Sequence, residues 1–174
     1  VLLVNDLDED NPLWDVPHGC LVSRGAVNLA GALSPMLRLA EEIVFVDPHF
    51  GPENARHREP LKAFLRAATC DRPGAPLRRV EVQCAADGTS TTQFFQDECL
   101  RRLPRCIPRG TRVDVIRLRE RQPDGEKLHN RYLLTNLGGV SVGIGLDEGP
   151  GTQLDDLNVL TREQYEMRWK QYCG

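Results

Sequence analysis

Ile43-Val44-Phe45-Val46 is an unbroken apolar run stopped by Asp47-Pro48, and it constrains the fold more than any other segment. A strand with one wet face alternates apolar and polar residues, so an unalternating run predicts a strand covered on both faces by other layers. Pro48 lacks a backbone donor and ends it. Helical patterns flank the run. Before it, Ser23 is read as the cap of a helix over roughly 24–42, with Leu29, Leu33, Leu37 and Ala40 on one face and a kink or restart at Ser34-Pro35. After it, Pro60 suits a helix first turn, and Leu61, Phe64, Leu65 and Ala68 form an apolar face that lasts until Asp71-Arg72-Pro73-Gly74.

The alternation continues. Val80 and Val82 read as a strand, and Ser90 with Gln93 reads as a capping box opening a helix with Phe95, Cys99 and Leu103 aligned. Pro104 marks that helix's end. Val113, Val115 and Arg117 take one side of the next strand, with Ile116 and Leu118 on the other. Residues 132–135 then read as a strand, 136–139 as a turn and 140–144 as a returning strand. Strands alternating with helices predict a single α/β domain: a mixed, largely parallel sheet flanked by helices on both faces, with an antiparallel hairpin attached. At 174 residues and 40% hydrophobic, one core is expected. Residues 1–22 are assigned to an N-terminal extension or loop packed on the domain formed by 23–174. That extension holds a short strand at Leu2 to Val4 and an acidic stretch from Asn5 to Asn11.

Composition narrows the function. A formal net charge of −3 argues against a strongly basic nucleic-acid binder. No apolar run reaches transmembrane length, and no signal peptide is visible. The chain opens at Val1 rather than methionine, so a flanking domain missing from it is allowed for. Six cysteines without Cys-x-x-Cys or zinc-ribbon spacing are read as free, mostly buried thiols, which favours the cytoplasm. Arg101, Arg102, Arg105, Arg109, Arg112, Arg117, Arg119 and Arg121 face only Asp114 and Glu120 as local counter-charges. This is either a phosphate-attracting rim or a solvated surface in a chain where arginine outnumbers lysine nineteen to three.

The chemistry centres on His129 and Arg131. Two apart on a strand, they leave the same face with about 6–7 Å of rise between them. Imidazole serves as nucleophile or proton carrier near neutral pH, and the guanidinium fork matches phosphoryl oxygens. The plainer alternative is a surface strand arginine beside an ordinary loop histidine. Asp47, at the carboxyl end of a central strand, borders a ligand crevice in an α/β sheet. Asp47 and His49, with Asp147 and Glu148, lack a diagnostic metal spacing, so no metal is assigned. Gly143 and Gly145 allow close backbone approach and are not a dinucleotide fingerprint. His18 and His57 are read as surface histidines. Trp14 and Trp169, with Tyr165 and Tyr172, are read as anchors docking the termini.

The segment from Lys127 to Gly145 resembles the phospholipase D superfamily signature, His-x-Lys-x4-Asp followed by a Gly-Ser-x-Asn-type segment. His129, Arg131, Asn136 and Gly143 fall on corresponding positions. Arg131 replaces the lysine, Asn136 the aspartate, and Ile144 stands where the serine is expected. With Gly143-Ile144-Gly145-Leu146-Asp147, and Asp47-Pro48-His49-Phe50 upstream, the pattern is similar to the phospholipase D-like C-terminal domain of MIT-domain proteins and bacterial relatives. The resemblance covers roughly 29–147. It implies a phospholipase D-like fold and a metal-independent phosphodiesterase, nuclease-like, with His129 as nucleophile, Arg131 holding the phosphoryl group and Asn136 assisting. Asp47, His49, Gly143, Gly145 and Asp147 would border the substrate. No cofactor is required. A single signature implies a homodimer that brings two copies of His129 together on a phosphodiester substrate, a nucleic acid or lipid headgroup. The alternative implied by the same relatives is a catalytically degenerate module that binds phosphoinositide, nucleic acid or a protein partner.

Overall fold

The computed structural model describes residues 17–73, 75–86, 90–119 and 128–174. The expected strand at Leu2 to Val4, the acidic stretch, Trp14, Glu120 and Arg121 lie outside these residues. The described chain forms one α/β domain in the order β1 (Gly19–Ser23), α1 (Ala26–Leu39), β2 (Glu42–Val46), α2 (Ala55–Thr69), β3 (Arg79–Ala85) and α3 (Thr92–Arg102), continued by a 3₁₀ turn over Leu103–Arg105. Then come β4 (Asp114–Leu118), β5 (Arg131–Thr135), β6 (Gly138–Val142), β7 (Leu154–Val159) and α4 (Arg162–Cys173). The seven strands form one sheet ordered β1-β7-β6-β5-β2-β3-β4. β1 pairs antiparallel with β7, so the domain begins inside the segment assigned to an extension.

The apolar run is the buried central strand it was expected to be. Ile43 and Phe45 face the core under α1, α2 and α3, while Val44 and Val46 face α4 with Tyr132 and Leu134. Helices therefore cover both faces. The sheet is mixed, but parallel pairing is confined to β2, β3 and β4. The remaining pairs are antiparallel. The cause is connection length: β5 and β6 are joined by two residues, Asn136 and Leu137, and only a helical crossover can return a strand parallel.

Helix starts differ from expectation by small shifts with local causes. Gly25, not Ser23, caps α1, and Ser23 Oγ donates instead to the Gly151 carbonyl. α2 starts at Asn54, whose side chain accepts from the Arg56 N–H, so Pro60 lies inside the helix. Thr91 rather than Ser90 caps α3, accepting from Phe94 N. The return strand of the hairpin begins at Gly138 because Thr135 Oγ1 donates across the turn to Gly138 O. Gly139 is then part of β6, where a side chain would collide with Leu134 and Leu160.

α4 is held by a Thr161–Gln164 capping box at its start. Tyr165, Trp169 and Tyr172 pack on the β2–β5 face, as expected of anchors, and the Tyr165 hydroxyl donates to Thr135 O. At its end, Gln83 Nε2 donates to Tyr172 O and an Arg79 N–H to Cys173 O. These bonds satisfy terminal carbonyls that no further helical turn can reach. All six cysteines are free: Cys84 and Cys106 are buried, Cys99 and Cys173 half-buried, Cys20 and Cys70 exposed. Among the described residues no helix is long and apolar enough to cross a membrane.

Candidate functional site

The pairing register brings one set of chain segments to the same edge of the sheet. β1, β2, β3, β4 and β6 end there, and β5 and β7 begin there. This edge carries Arg24, Asp47, His129, Arg131, the 143–148 loop and Asp155. Carboxyl ends of parallel strands are the usual place for a ligand crevice in an open α/β sheet.

At its centre is a buried ionic cluster. Asp47 Oδ1 accepts from His49 N at 2.9 Å, and its Oδ2 accepts from Leu146 N at 3.0 Å. Asp155 accepts from Ile144 N at 2.8 Å and Gly145 N at 3.3 Å, with Arg24 Nε 3.7 Å away. Asp147 Oδ1 receives Arg24 at 2.5 Å, and Oδ2 receives Arg56 Nε at 2.6 Å. Arg24 also donates to Gln153 Oε1 and to Asp147 O. Arg24, Asp47, Asp147 and Asp155 are all at most 6% exposed. Every carboxylate is thus answered by backbone N–H groups or guanidinium, which is what allows charge to be buried.

This cluster fixes the loop after β6. A Cβ on Gly143 would approach Asp155 Oδ1 to 2.9 Å, and one on Gly145 would run into the Asp147 carboxylate. The two glycines therefore serve the close approach expected of them, toward buried aspartates. Asp47, Gly143, Gly145 and Asp147 are brought together as one unit. His49 contributes its backbone N–H while its side chain remains exposed.

His129 is exposed two residues before β5, and Arg131 is the half-buried first residue of that strand. Val46 pairs with Tyr132, so the next position along places Arg131 beside Asp47. Arg131 Nε is buried with no hydrogen-bond partner. Arg131 lines a polar cleft of about 220 Å³ with Asn130, Ser141, Gly143 and Asn158. His129 is not part of that lining and stands one residue along the chain from it. Asn136 is at the opposite end of β5, where its Oδ1 accepts from Glu41 N at 2.8 Å and Glu42 N at 3.1 Å. Those bonds tie the hairpin turn to the start of β2, about 20 Å of strand from His129.

Arg24, Arg56 and Asp155 are participants that sequence reasoning missed. His57 is another: read as a surface residue, it is half-buried, its Nδ1 accepts from Gly51 N at 3.1 Å, and its ring lies 5.9 Å from Phe50. None of these carries a recognisable motif: Arg24 and Arg56 meet Asp147 from far away in the chain, and the contacts of His57 with Gly51 and Phe50 depend on the turn between them. The arginine-rich window does not form one rim. Arg101 and Arg102 pair with Glu98, Arg112 pairs with Asp114, and Arg117 lies over the Phe95 ring. Among the described residues no group of three or more His, Cys, Asp or Glu side chains is placed to hold a metal ion.

The geometry defines a class: an α/β domain with a mixed sheet and a polar site at one sheet edge. Among solved structures, the chain is similar to polyphosphate kinase from Porphyromonas gingivalis, with a TM-score of 0.52 and 12% identity. The match covers 98% of this chain and 28% of that one, so the likeness is to a part of a larger protein and concerns the fold. A match to TrmBL2, an archaeal chromatin protein, has a TM-score of 0.39 at 13% identity, covering 95% of this chain and 55% of that one. No protein-family model and no curated protein matches the chain.

Proposed function

We propose that the His129–Arg131 edge binds a phosphodiester and hydrolyses it without a metal when two copies of the chain meet. The observation that carries this reading is Arg131, which lines a polar cleft, has a buried Nε–H without a hydrogen-bond partner, and stands two residues from the exposed His129. A guanidinium with a free donor, held on a strand rather than a loop, suits two oxygens of one phosphoryl group. The resemblance of the 127–145 segment to the phospholipase D signature supplies the reaction. One His129 would attack phosphorus, forming a P–N bond as the P–O bond to the leaving group breaks. The partner copy's imidazolium would protonate the departing oxygen, and water would then cleave the phosphohistidine. Asp47 and Asp147 are not free to orient His129, and Asn136 is too distant, so the reading rests on His129 and Arg131 alone.

A second reading has its own observation. Because the aspartate oxygens at this edge are occupied by backbone or arginine donors, none is left to fix the imidazole tautomer. That favours a module that binds phosphodiesters without turnover. The deciding experiment is cleavage of single-stranded DNA, RNA and bis(p-nitrophenyl) phosphate in EDTA, with His129→Ala and Arg131→Ala beside the parent. Turnover that disappears with His129 supports hydrolysis. Binding that needs Arg131, in a protein inert toward all substrates, supports the module. If neither variant changes anything, both readings fall.

A further inference from the structure

The sheet edge opposite His129 carries a second polar cleft that the proposed function leaves unused. Its volume is about 290 Å³, and Arg72, Arg78, Arg79, Arg109 and Arg112 line it with no carboxylate among the lining residues. We propose that this cleft binds the phosphate group of a small molecule, independently of the His129–Arg131 edge.

The cleft is assembled from three parts of the chain. Arg72 follows α2, Arg78 and Arg79 lead into β3, and the loop before β4 brings Arg109 and Arg112. Gly110, at φ +80°, makes the bend in that loop that a side-chain-bearing residue adopts only with strain. The end of a helix presents unpaired carbonyls, whose partial negative charge repels anions. Here Arg72 removes that obstacle at two helices together. It donates to Leu37 O and Ala40 O at the end of α1, to Ala68 O in α2, and to Ala75 O. Its charge is thereby fixed in the cleft wall.

The carboxylates that accompany the other arginines lie outside the lining. Arg78 pairs with Glu41 and Glu42, Arg79 with Glu81, and Arg112 with Asp114. Such pairs restrain guanidinium groups while leaving further N–H donors available, because each group has five. Arg109 is exposed and has no partner among the described residues. Arg72 and Arg109 bring positive charge that no carboxylate among the described residues pairs, and an oxyanion between them and the remaining N–H donors of Arg78, Arg79 and Arg112 accepts several charge-assisted hydrogen bonds. The apolar walls at Pro76 and Leu77 give the organic part of a phosphate ester a surface to contact.

Isothermal titration calorimetry at fixed chloride tests this with inorganic phosphate, AMP and adenosine as probes. Phosphate and AMP should bind and adenosine should not. Arg109→Glu should weaken binding about tenfold or more, as loss of a charge-assisted contact and addition of a like charge require. The binding that Arg109→Glu weakens should persist in His129→Ala and Arg131→Ala. Equal affinity for phosphate and AMP identifies free phosphate as sufficient, and tighter AMP identifies an ester. The proposal is overturned if adenosine matches AMP, if the parent binds neither anion, or if binding survives Arg109→Glu and fails in Arg131→Ala. It is also overturned if only a short oligothymidylate binds, which would make the cleft a nucleic-acid contact.

Discussion

At the sheet edge that carries His129, Arg24 donates to the buried Asp147 carboxylate and lies beside that of Asp155; at the opposite edge, Arg72 donates only to backbone carbonyls. Both side chains are multiply bonded, but their electrical consequences are opposite. Around Arg24, two aspartates, Asp147 and Asp155, face two arginines, Arg24 and Arg56, so those charges are matched, and Arg131 is left at this edge without an ion-pair partner among the described residues. Around Arg72 no carboxylate of the described residues neutralises the guanidinium directly, and of the four arginines that share its cleft Arg78, Arg79 and Arg112 are paired with carboxylates outside the lining while Arg109 is not. An arginine count along the chain therefore says little about anion binding. What matters is whether each guanidinium meets a carboxylate or a carbonyl.

The sharpest way to break this contrast is Arg24→Met. It leaves Asp147 with Arg56 alone and Asp155 with backbone N–H groups alone, and removing one member of a buried ion pair costs about 3–5 kcal/mol. Urea denaturation should show a loss of that size, with the 143–148 loop opening to hydrogen exchange. A loss below about 1 kcal/mol would mean the cluster is wetter than its burial implies.

Arg72→Ala should be milder, about 2–3 kcal/mol, because it exposes neutral carbonyls that water can partly satisfy. Arg72→Lys should recover only a fraction, since an ammonium cannot span carbonyls on two helices. Circular dichroism melts of the three proteins would order them parent, lysine, alanine. If the lysine protein equals the parent, charge alone holds the helix ends and the fork geometry is irrelevant.

Asn136→Ala is expected to cost about 1 kcal/mol, the ordinary effect of losing side-chain acceptors for backbone N–H groups. Any phosphodiester activity should keep its rate, because Asn136 sits at the far end of β5. A large rate loss without a stability loss would return Asn136 to the reacting site.

The difference between what was legible in the sequence and what was not follows the same geography. The apolar run of β2, the helical faces on Leu29, Leu33 and Leu37 and on Leu61, Phe64 and Leu65, and the aromatic face of α4 are local patterns, and periodicity exposes them. Strand ends and glycine turns drew attention to Asp47 and Asp147, and the fold buries both at one sheet edge. Their partners were not visible. Arg24 and Asp147 are more than a hundred residues apart, and Asp155 lies in a polar strand indistinguishable by pattern from a solvated one. Antiparallel pairing of β5 with β2 was likewise set by sheet order, which no single segment encodes. The five-arginine cleft is the extreme case, since its members come from the α2–β3 connection, the start of β3 and the loop before β4, and only two of them fall in the arginine-rich window.

The smallest expected effect concerns Arg79, which lines the arginine cleft and also bonds Glu81 beneath α4. Burial pushes the Glu81 carboxyl up, but hydrogen bonds from Arg79 and Gln83, with the Arg79 charge, outweigh it and hold it below its ordinary value of 4.5. A depressed folded-state value means the carboxylate favours the folded protein. Its contribution is present above the unfolded value and is lost as pH falls through the lower folded one. Glu81→Gln keeps a hydrogen-bonding side chain without the charge, so it should lower the melting temperature slightly at pH 7. The gap to the parent should close as pH drops below about 4.5. The same substitution leaves Arg79 with only the more distant Glu42 carboxylate, so AMP should bind the variant more tightly at pH 7 if Arg79 faces the anion. Unchanged AMP affinity in a folded variant would place Arg79 among the helix-docking arginines and reduce the anion cleft to Arg72, Arg78, Arg109 and Arg112.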